Sequence, residues 1–395
     1  MQQEILHHFR KDLFEDFLPF MDRNIVDHEL GGFLCHADRD GTRLGDEKDS
    51  WYEGRGIWVY SFLYRNLTHD PAHLEVARKA VDSVLRIRPR NEPLWPRKFT
   101  RAGETIMPDS EIYGSLFIAE GLAEYGEAAN RPEFREIAKE IIWSCEEVYN
   151  RPDYAANPKH YLGPDAPPFP GARVQGAAMV LLRLATQMLR YEPDPKLADL
   201  ADRALDALMN RHYNAAFDLN NEFLNHDYTL PQNEYAQFVY TGHTIETMWM
   251  VMDEALRRKD ASLFDVAAGR FRRHMEVAWD DVYGGLFRGV RNVDRNDWLL
   301  DKVLWEQEEA MIGCLLLIEH RGHAWEREMF DRLYRYVHDR YRLDRYGLPL
   351  WITAADRKVT FEPHYNRIEN YHHPRFLMWS LLALQRIAGG TPPRS

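Results

Sequence analysis

A chain of 395 residues with 45% hydrophobic and 28% charged residues has ample material for a large core and none of the compositional bias of a disordered protein. Its formal charge of −12 is spread along the chain, which argues against a nucleic-acid track or an anionic membrane surface and for a neutral or small partner. Cys35, Cys145 and Cys314 are too few and too widely separated for a disulfide framework or a zinc cluster, so a reducing compartment is expected.

Met1 to Lys11 carries charge and two histidines where a signal peptide would need an apolar run. No later stretch is apolar for a membrane's width, and the expected address is the cytoplasm. From Ile5, Phe9, Leu13 and Phe17 onward, apolar residues recur at helical spacing in about twelve segments. The segments start near Gln3, Trp51, Pro71, Glu111, Pro132, Arg173, Pro195, Tyr240, Ala261, Lys302, Ala324 and Tyr371. Asp70-Pro71 and Asp194-Pro195 place a capping acid before a first-turn proline, and Arg131-Pro132 supplies the proline without the acid.

Connections alternate in length. Leu67 to Pro71, Ala128 to Pro132 and Arg258 to Ala261 are short, whereas Asp22 to Ser50, Arg88 to Ser110, Asn150 to Gly171 and Tyr213 to Val239 are long enough to carry function. Two helices and their short turn form a unit that repeats about every sixty residues, compatible with one closed ring of six helical hairpins spanning 1–395 as a single domain. The long loops echo one another. Asp27 to Phe33, leading to Asp38-Arg39-Asp40-Gly41, is matched by Asp281 to Phe287 leading to Asp294, and more weakly by Asp344 to Trp351. Each reads as a glycine turn feeding a short extended pair, so small hairpins should crown one rim.

In such a ring every second helix faces the axis, and the first turns of the helices that follow long loops share one mouth. Those turns hold Arg55, Tyr113, His243 with Glu246, Glu309, and His372-His373-Pro374-Arg375. His243 and Glu246 stand three apart on one helix face, where a carboxylate can orient an imidazole and raise its basicity. A lone His-x-x-Glu is more often an incidental pair at a solvated helix start, and a metal site is the other reading, without the further ligands of a recognisable motif. Of the two adjacent histidines, at most one should line the axis. Arg55 stands between Gly54 and Gly56, and its fork suits oxygen atoms, with a structural ion pair as the rival reading. In Trp305 to Met311 the acids suit a solvated helix start, and Glu309 alone is expected to look inward. Tyr113 is more often a core tyrosine than a ligand.

Four motifs together resemble the N-acylglucosamine 2-epimerase superfamily. They are Arg-Gly-x-Trp at Arg55 to Trp58, Gly-His-x-x-Glu-x-x-Trp at Gly242 to Trp249, Trp-x-x-x-Glu-Ala at Trp305 to Ala310, and His-x-Pro-Arg at His372 to Arg375. The resemblance spans nearly the whole chain. It implies an all-α (α/α)6 barrel that epimerises or isomerises an aldose at carbon 2 without a metal or nicotinamide cofactor. It also implies His243 and His372 as the acid-base pair, Arg55 facing the developing oxyanion, and Glu246 and Glu309 holding sugar hydroxyls or orienting the imidazoles, while Tyr113 is a substrate-binding candidate from its position at the mouth. His373 takes the variable position between the family's histidine and proline.

Superfamily members acting on mannose or cellobiose carry a further histidine on the helix that here reads Arg173 to Met179, and none stands there. N-acetylglucosamine and N-acetylmannosamine are therefore the first substrate pair, although the loop from Asn220 to Tyr240 departs from that subgroup's pattern. The partner expected is a small-molecule sugar, with no nucleic acid and no membrane, and a homodimer is left open. Two other classes compete. A glycoside hydrolase on the same barrel would use paired acids, Glu246 with Glu309 or Asp109 with Glu111, and a non-catalytic sugar-binding barrel would not need both histidines.

Overall fold

The computed structural model describes residues 2–342 and 368–389. Among these residues run twelve long helices. They are α1 (2–24, with a π-helical turn over Asp12–Phe17), α2 (50–68), α3 (Pro71–Arg86), α4 (Tyr113–Ala128), α5 (Glu133–Tyr149) and α6 (Gln175–Tyr191). They continue with α7 (195–211), α8 (Thr241–Arg258), α9 (Ala261–Ala278), α10 (Leu304–His320), α11 (Ala324–Arg340) and α12 (His372–Gly389). Each begins within two residues of the start expected from its periodicity and caps. The local reason is visible at α3, where Asp70 accepts a 2.9 Å hydrogen bond from the Ala72 N–H, and at α7, where Asp194 accepts from Lys196 and Leu197.

Even-numbered helices are buried nearly all round, as in α4, where every residue from Tyr113 to Gly126 is buried. Odd-numbered helices bury one stripe, such as Leu197, Leu200, Ala201, Ala204 and Leu205 of α7. The first pattern suits an inner ring and the second an outer one. Neighbouring even helices touch in chain order, and α12 returns to α2 to close the ring. Each odd helix from α3 to α11 packs on the even helix before it, while α1 packs on α12. Five hairpins thus follow in sequence and the two ends of the chain build the sixth, which is the (α/α)6 barrel. Glycines allow the closest inner crossing to form: a Cβ on Gly54 would lie 2.2 Å from the Phe117 backbone, and one on Gly121 would lie 2.5 Å from the Gly54 carbonyl oxygen.

Short antiparallel strand pairs stitch the long loops together at the rim where the inner helices start. Lys48–Asp49 pairs with Lys98–Phe99, Arg173–Val174 with Phe223–Leu224, and Gly289–Asn292 with Asp297–Leu299. The loop echo is real but shifted by one residue, because the counterpart of Asp27 is Asp280 rather than Asp281. Asp27 accepts from the N–H groups of Glu29 and Leu30, and Asp280 accepts from those of Val282 and Tyr283. Each aspartate also meets a buried lysine, Lys48 at 3.1 Å and Lys302 at 2.5 Å, and each lysine donates to a left-handed glycine carbonyl, Gly31 or Gly284. The third copy, Asp344 to Trp351, lies outside the described residues.

Candidate active site

Where the inner helices start, their side chains enclose a cavity of about 250 Å³. Arg55 and Tyr113 line it from α2 and α4, His243 and Glu246 from α8, and His372 from α12. Five of the six site residues expected from the sequence therefore share one chamber. Glu309 does not line it. Its side chain is fully buried behind His372, and the cavity wall from α10 is made instead by Leu304, Trp305 and Glu308.

Glu309 orients the His372 imidazole, one of the two roles expected of it, whereas the acid on His243 was not foreseen. His243 Nδ1 lies 2.9 Å from Oε1 of Glu222, a buried residue of the loop before α8, while Glu246 on the same helix accepts from Arg375. Glu222 is itself fixed by the Gly176 N–H at 3.3 Å and by the Gln175 amide at 3.4 Å. Gly176 is where a Cβ would approach His243 Cε1 to 2.8 Å and the Tyr113 hydroxyl to 3.1 Å, so the glycine is what lets these two side chains meet the helix. The sequence carried little sign of Glu222, because its loop places it beside α8 only through the strand pair with Arg173–Val174.

His372 Nδ1 lies 2.8 Å from Glu309 Oε1, and the other oxygen of Glu309 accepts from the Trp249 indole at 2.9 Å. Arg375, one turn on from His372, donates to both Glu246 and Glu309 at 2.5 Å. Burial would raise the Glu309 carboxyl, but Arg375 and His372 together outweigh it and hold Glu309 at about 2. Glu246, Glu309 and His372 bring ligand-type atoms within 4.8 Å of one another, and the guanidinium of Arg375 is the cation that serves the two carboxylates. A second dyad runs alongside, with His373 Nδ1 hydrogen-bonded to Glu308. Both adjacent histidines reach the cavity wall, where at most one was expected. The start of α12 is held by Glu369, which accepts from the Tyr371 and His372 N–H groups at 2.9 and 3.0 Å.

Arg55 stands in an aromatic cage, with its guanidinium 4.1 Å from the Phe117 ring centre, 4.8 Å from Tyr371 and 5.4 Å from Trp51. The structural ion pair weighed from the sequence is not seen for it among the described residues. The cage holds the charge without occupying its donors. Tyr371 in turn donates to Glu120 at 2.8 Å, closing the floor.

Residues 31–373 match the sequence model of the N-acylglucosamine 2-epimerase (GlcNAc 2-epimerase) family. The chain belongs to that family. It is 25% identical to the N-acylglucosamine 2-epimerase of Bos taurus across 93% of this chain and 89% of the relative. It is 21% identical to the cellobiose 2-epimerase of Dictyoglomus turgidum across 85% and 84%. Among solved structures, the cellobiose 2-epimerase of Bacillus thermoamylovorans superposes with a TM-score of 0.81 at 18% identity, covering 96% of this chain and 99% of that one. A GH76 α-mannanase of Bacteroides thetaiotaomicron shares the fold at a TM-score of 0.64 and 12% identity, covering 97% of each chain. The family's barrel is therefore also found in a hydrolase, and the site chemistry must separate the two.

Proposed function

We propose that the protein is a sugar 2-epimerase that interconverts N-acetylglucosamine and N-acetylmannosamine, with His243 and His372 as the two acid-base groups. The observation that carries this reading is a pair of histidines from different inner helices, each with Nδ1 on a buried carboxylate, facing one sugar-sized chamber. With Nδ1 engaged, Nε2 is the nitrogen each ring turns to the substrate.

A hydrogen on carbon 2 is weakly acidic only while carbon 1 is an aldehyde, so the sugar reacts in its open-chain form. One histidine removes that proton, charge develops on the aldehyde oxygen, and the caged guanidinium of Arg55 stabilises it. The planar intermediate then takes a proton from the other histidine on its opposite face, which inverts carbon 2 and returns the aldehyde. Tyr113 and Glu246 meet sugar hydroxyls, while Glu222 and Glu309 hold the imidazoles. Trp51 and Trp305, at the mouth, offer faces for the sugar chain.

The hydrolase alternative on Glu246 and Glu309 is disfavoured because Glu309 is buried behind His372, off the cavity wall, and Arg375 and His372 hold its carboxyl low. Asp109, though raised by burial to about 6, lines a different cavity. Proton NMR in heavy water tests the reading, with N-acetylmannosamine, N-acetylglucosamine, mannose and cellobiose offered separately. Exchange at carbon 2 of an N-acetylhexosamine is the required result. Ketose formation would move the reading to an isomerase, and no exchange with any sugar would sink it. The chain has three cysteines, all buried, which suits a cytoplasmic address.

A further inference from the structure

Arg97 is a cavity-lining residue that the acid-base chemistry leaves unused. It comes from the loop before α4, and its position is set by several contacts. Its carbonyl accepts from the Ser50 N–H at 3.2 Å, the Pro96 carbonyl before it accepts from the Ser50 hydroxyl at 2.6 Å, and the strand that follows pairs with Lys48–Asp49. Asp49 caps α2 through the Trp51 N–H at 2.9 Å and holds Arg97 Nε at 3.1 Å with its other oxygen. The guanidinium lies 4.2 Å from the Trp51 ring centre, and its Nη1 is buried without a hydrogen-bond partner among the described residues. An enclosed arginine nitrogen with no acceptor is costly unless a ligand supplies one.

Trp51 therefore carries two guanidinium groups, Arg97 at 4.2 Å and Arg55 at 5.4 Å from its ring. An open-chain N-acylhexosamine presents two nearby acceptor oxygens, the aldehyde oxygen on carbon 1 and the carbonyl oxygen of the acylamino group whose nitrogen is on carbon 2. If Arg55 receives the first, as the epimerase reading requires, the neighbouring guanidinium faces the second. We infer that Arg97 is a specificity-determining residue that donates to the acyl carbonyl of the substrate, so that the pair Arg55 and Arg97 selects 2-acylamino sugars over plain hexoses. Arginine suits this role because it offers donors only, which favour a carbonyl over a hydroxyl that can also act as donor.

This inference rests on the epimerase reading, and its test separates the two. Wild-type enzyme and the Arg97→Ala and Arg97→Lys variants are compared by carbon-2 exchange with N-acetylmannosamine and with mannose. Calorimetric binding is measured for the reduced open-chain alditols with and without the N-acetyl group. The expected result for Arg97→Ala is a fall of about tenfold or more in the preference for the N-acetyl compound, in both the exchange and the binding ratio. Arg97→Lys, which keeps the charge but not the fork, should fall between, and it controls for the lost contacts to Trp51 and Asp49. An unchanged preference in a folded variant overturns the inference while leaving the epimerase reading intact. A wild-type enzyme that exchanges no sugar but binds the N-acetyl alditol through Arg97 overturns the epimerase reading alone.

Discussion

The imidazole of His243 is hydrogen-bonded to Glu222, twenty-one positions earlier in the chain, although Glu246 stands one turn along its own helix. Helical spacing put Glu246 on the right face, but Arg375 reaches across from α12 and takes that carboxylate. The two histidines are thus held by acids from different parts of the barrel, one from a rim loop and one from α10.

Replacing Glu222 with Gln should lower kcat for carbon-2 exchange by about a hundredfold, within the range a positioned acid-base group supplies. KM should change far less, because Glu222 acts through His243 and not on the sugar. Initial rates by NMR for the wild type and the variant give both constants. An equal loss carried entirely by KM would show that Glu222 shapes the sugar pocket instead.

Gly176→Ala is expected to fold normally and lose about tenfold or more in activity. Its new methyl would come within 2.8 Å of His243 Cε1 and 3.0 Å of Nδ1, and a ring anchored to Glu222 cannot yield without leaving its working position. Thermal melts and exchange rates on the same sample test this. A variant with full activity would mean that the ring position has slack.

Arg375→Met should destabilise the barrel by about 3–5 kcal/mol, since it leaves Glu246 and Glu309 as buried carboxylates without their cation. The same pairing makes stability fall in acid. Glu309 has a folded-state pKa of about 2 against an ordinary 4.5, so its contribution is complete above about 4.5 and is lost as pH falls toward 2. Denaturant titrations at pH 7 and at pH 3 should show the wild type losing part of the advantage it holds over the variant.

Glu53 predicts the opposite slope. Burial raises its carboxyl to about 8, so the folded protein keeps a proton that the unfolded chain releases above about 4.5. Stability from this group is complete below about 4.5 and declines as pH rises through 8. Glu53 occupies the place that Gln307 takes in the other rim repeat: Glu53 accepts from the Phe33 N–H at 2.9 Å, and Gln307 from the Leu286 N–H at 2.8 Å. Glu53→Gln should therefore stabilise the protein by on the order of 3 kcal/mol at pH 7 and leave it unchanged at pH 4. Denaturation midpoints at both values decide it, and a loss of stability at pH 7 would refute the assignment.

Helix number, the alternation of short and long connections, and the mouth shared by Arg55, Tyr113, His243, Glu246 and His372 were all legible in the sequence. These follow from patterns that repeat along one chain: apolar periodicity marks a helix, a capping acid before proline marks its start, and residues at corresponding starts share a rim. The sequence also showed the loop echo, but with its register one residue out, because Asp280 and Asp281 are alike until Lys302 chooses between them. What only the tertiary structure decided is which acid serves which base. Carboxylate pairing depends on approaches of a few ångströms between elements far apart in sequence, so Glu222 came to His243 through a strand pair. Glu309 went behind His372 rather than onto the cavity wall, and Arg97 came to the mouth against the ring of Trp51, which Arg55 also approaches.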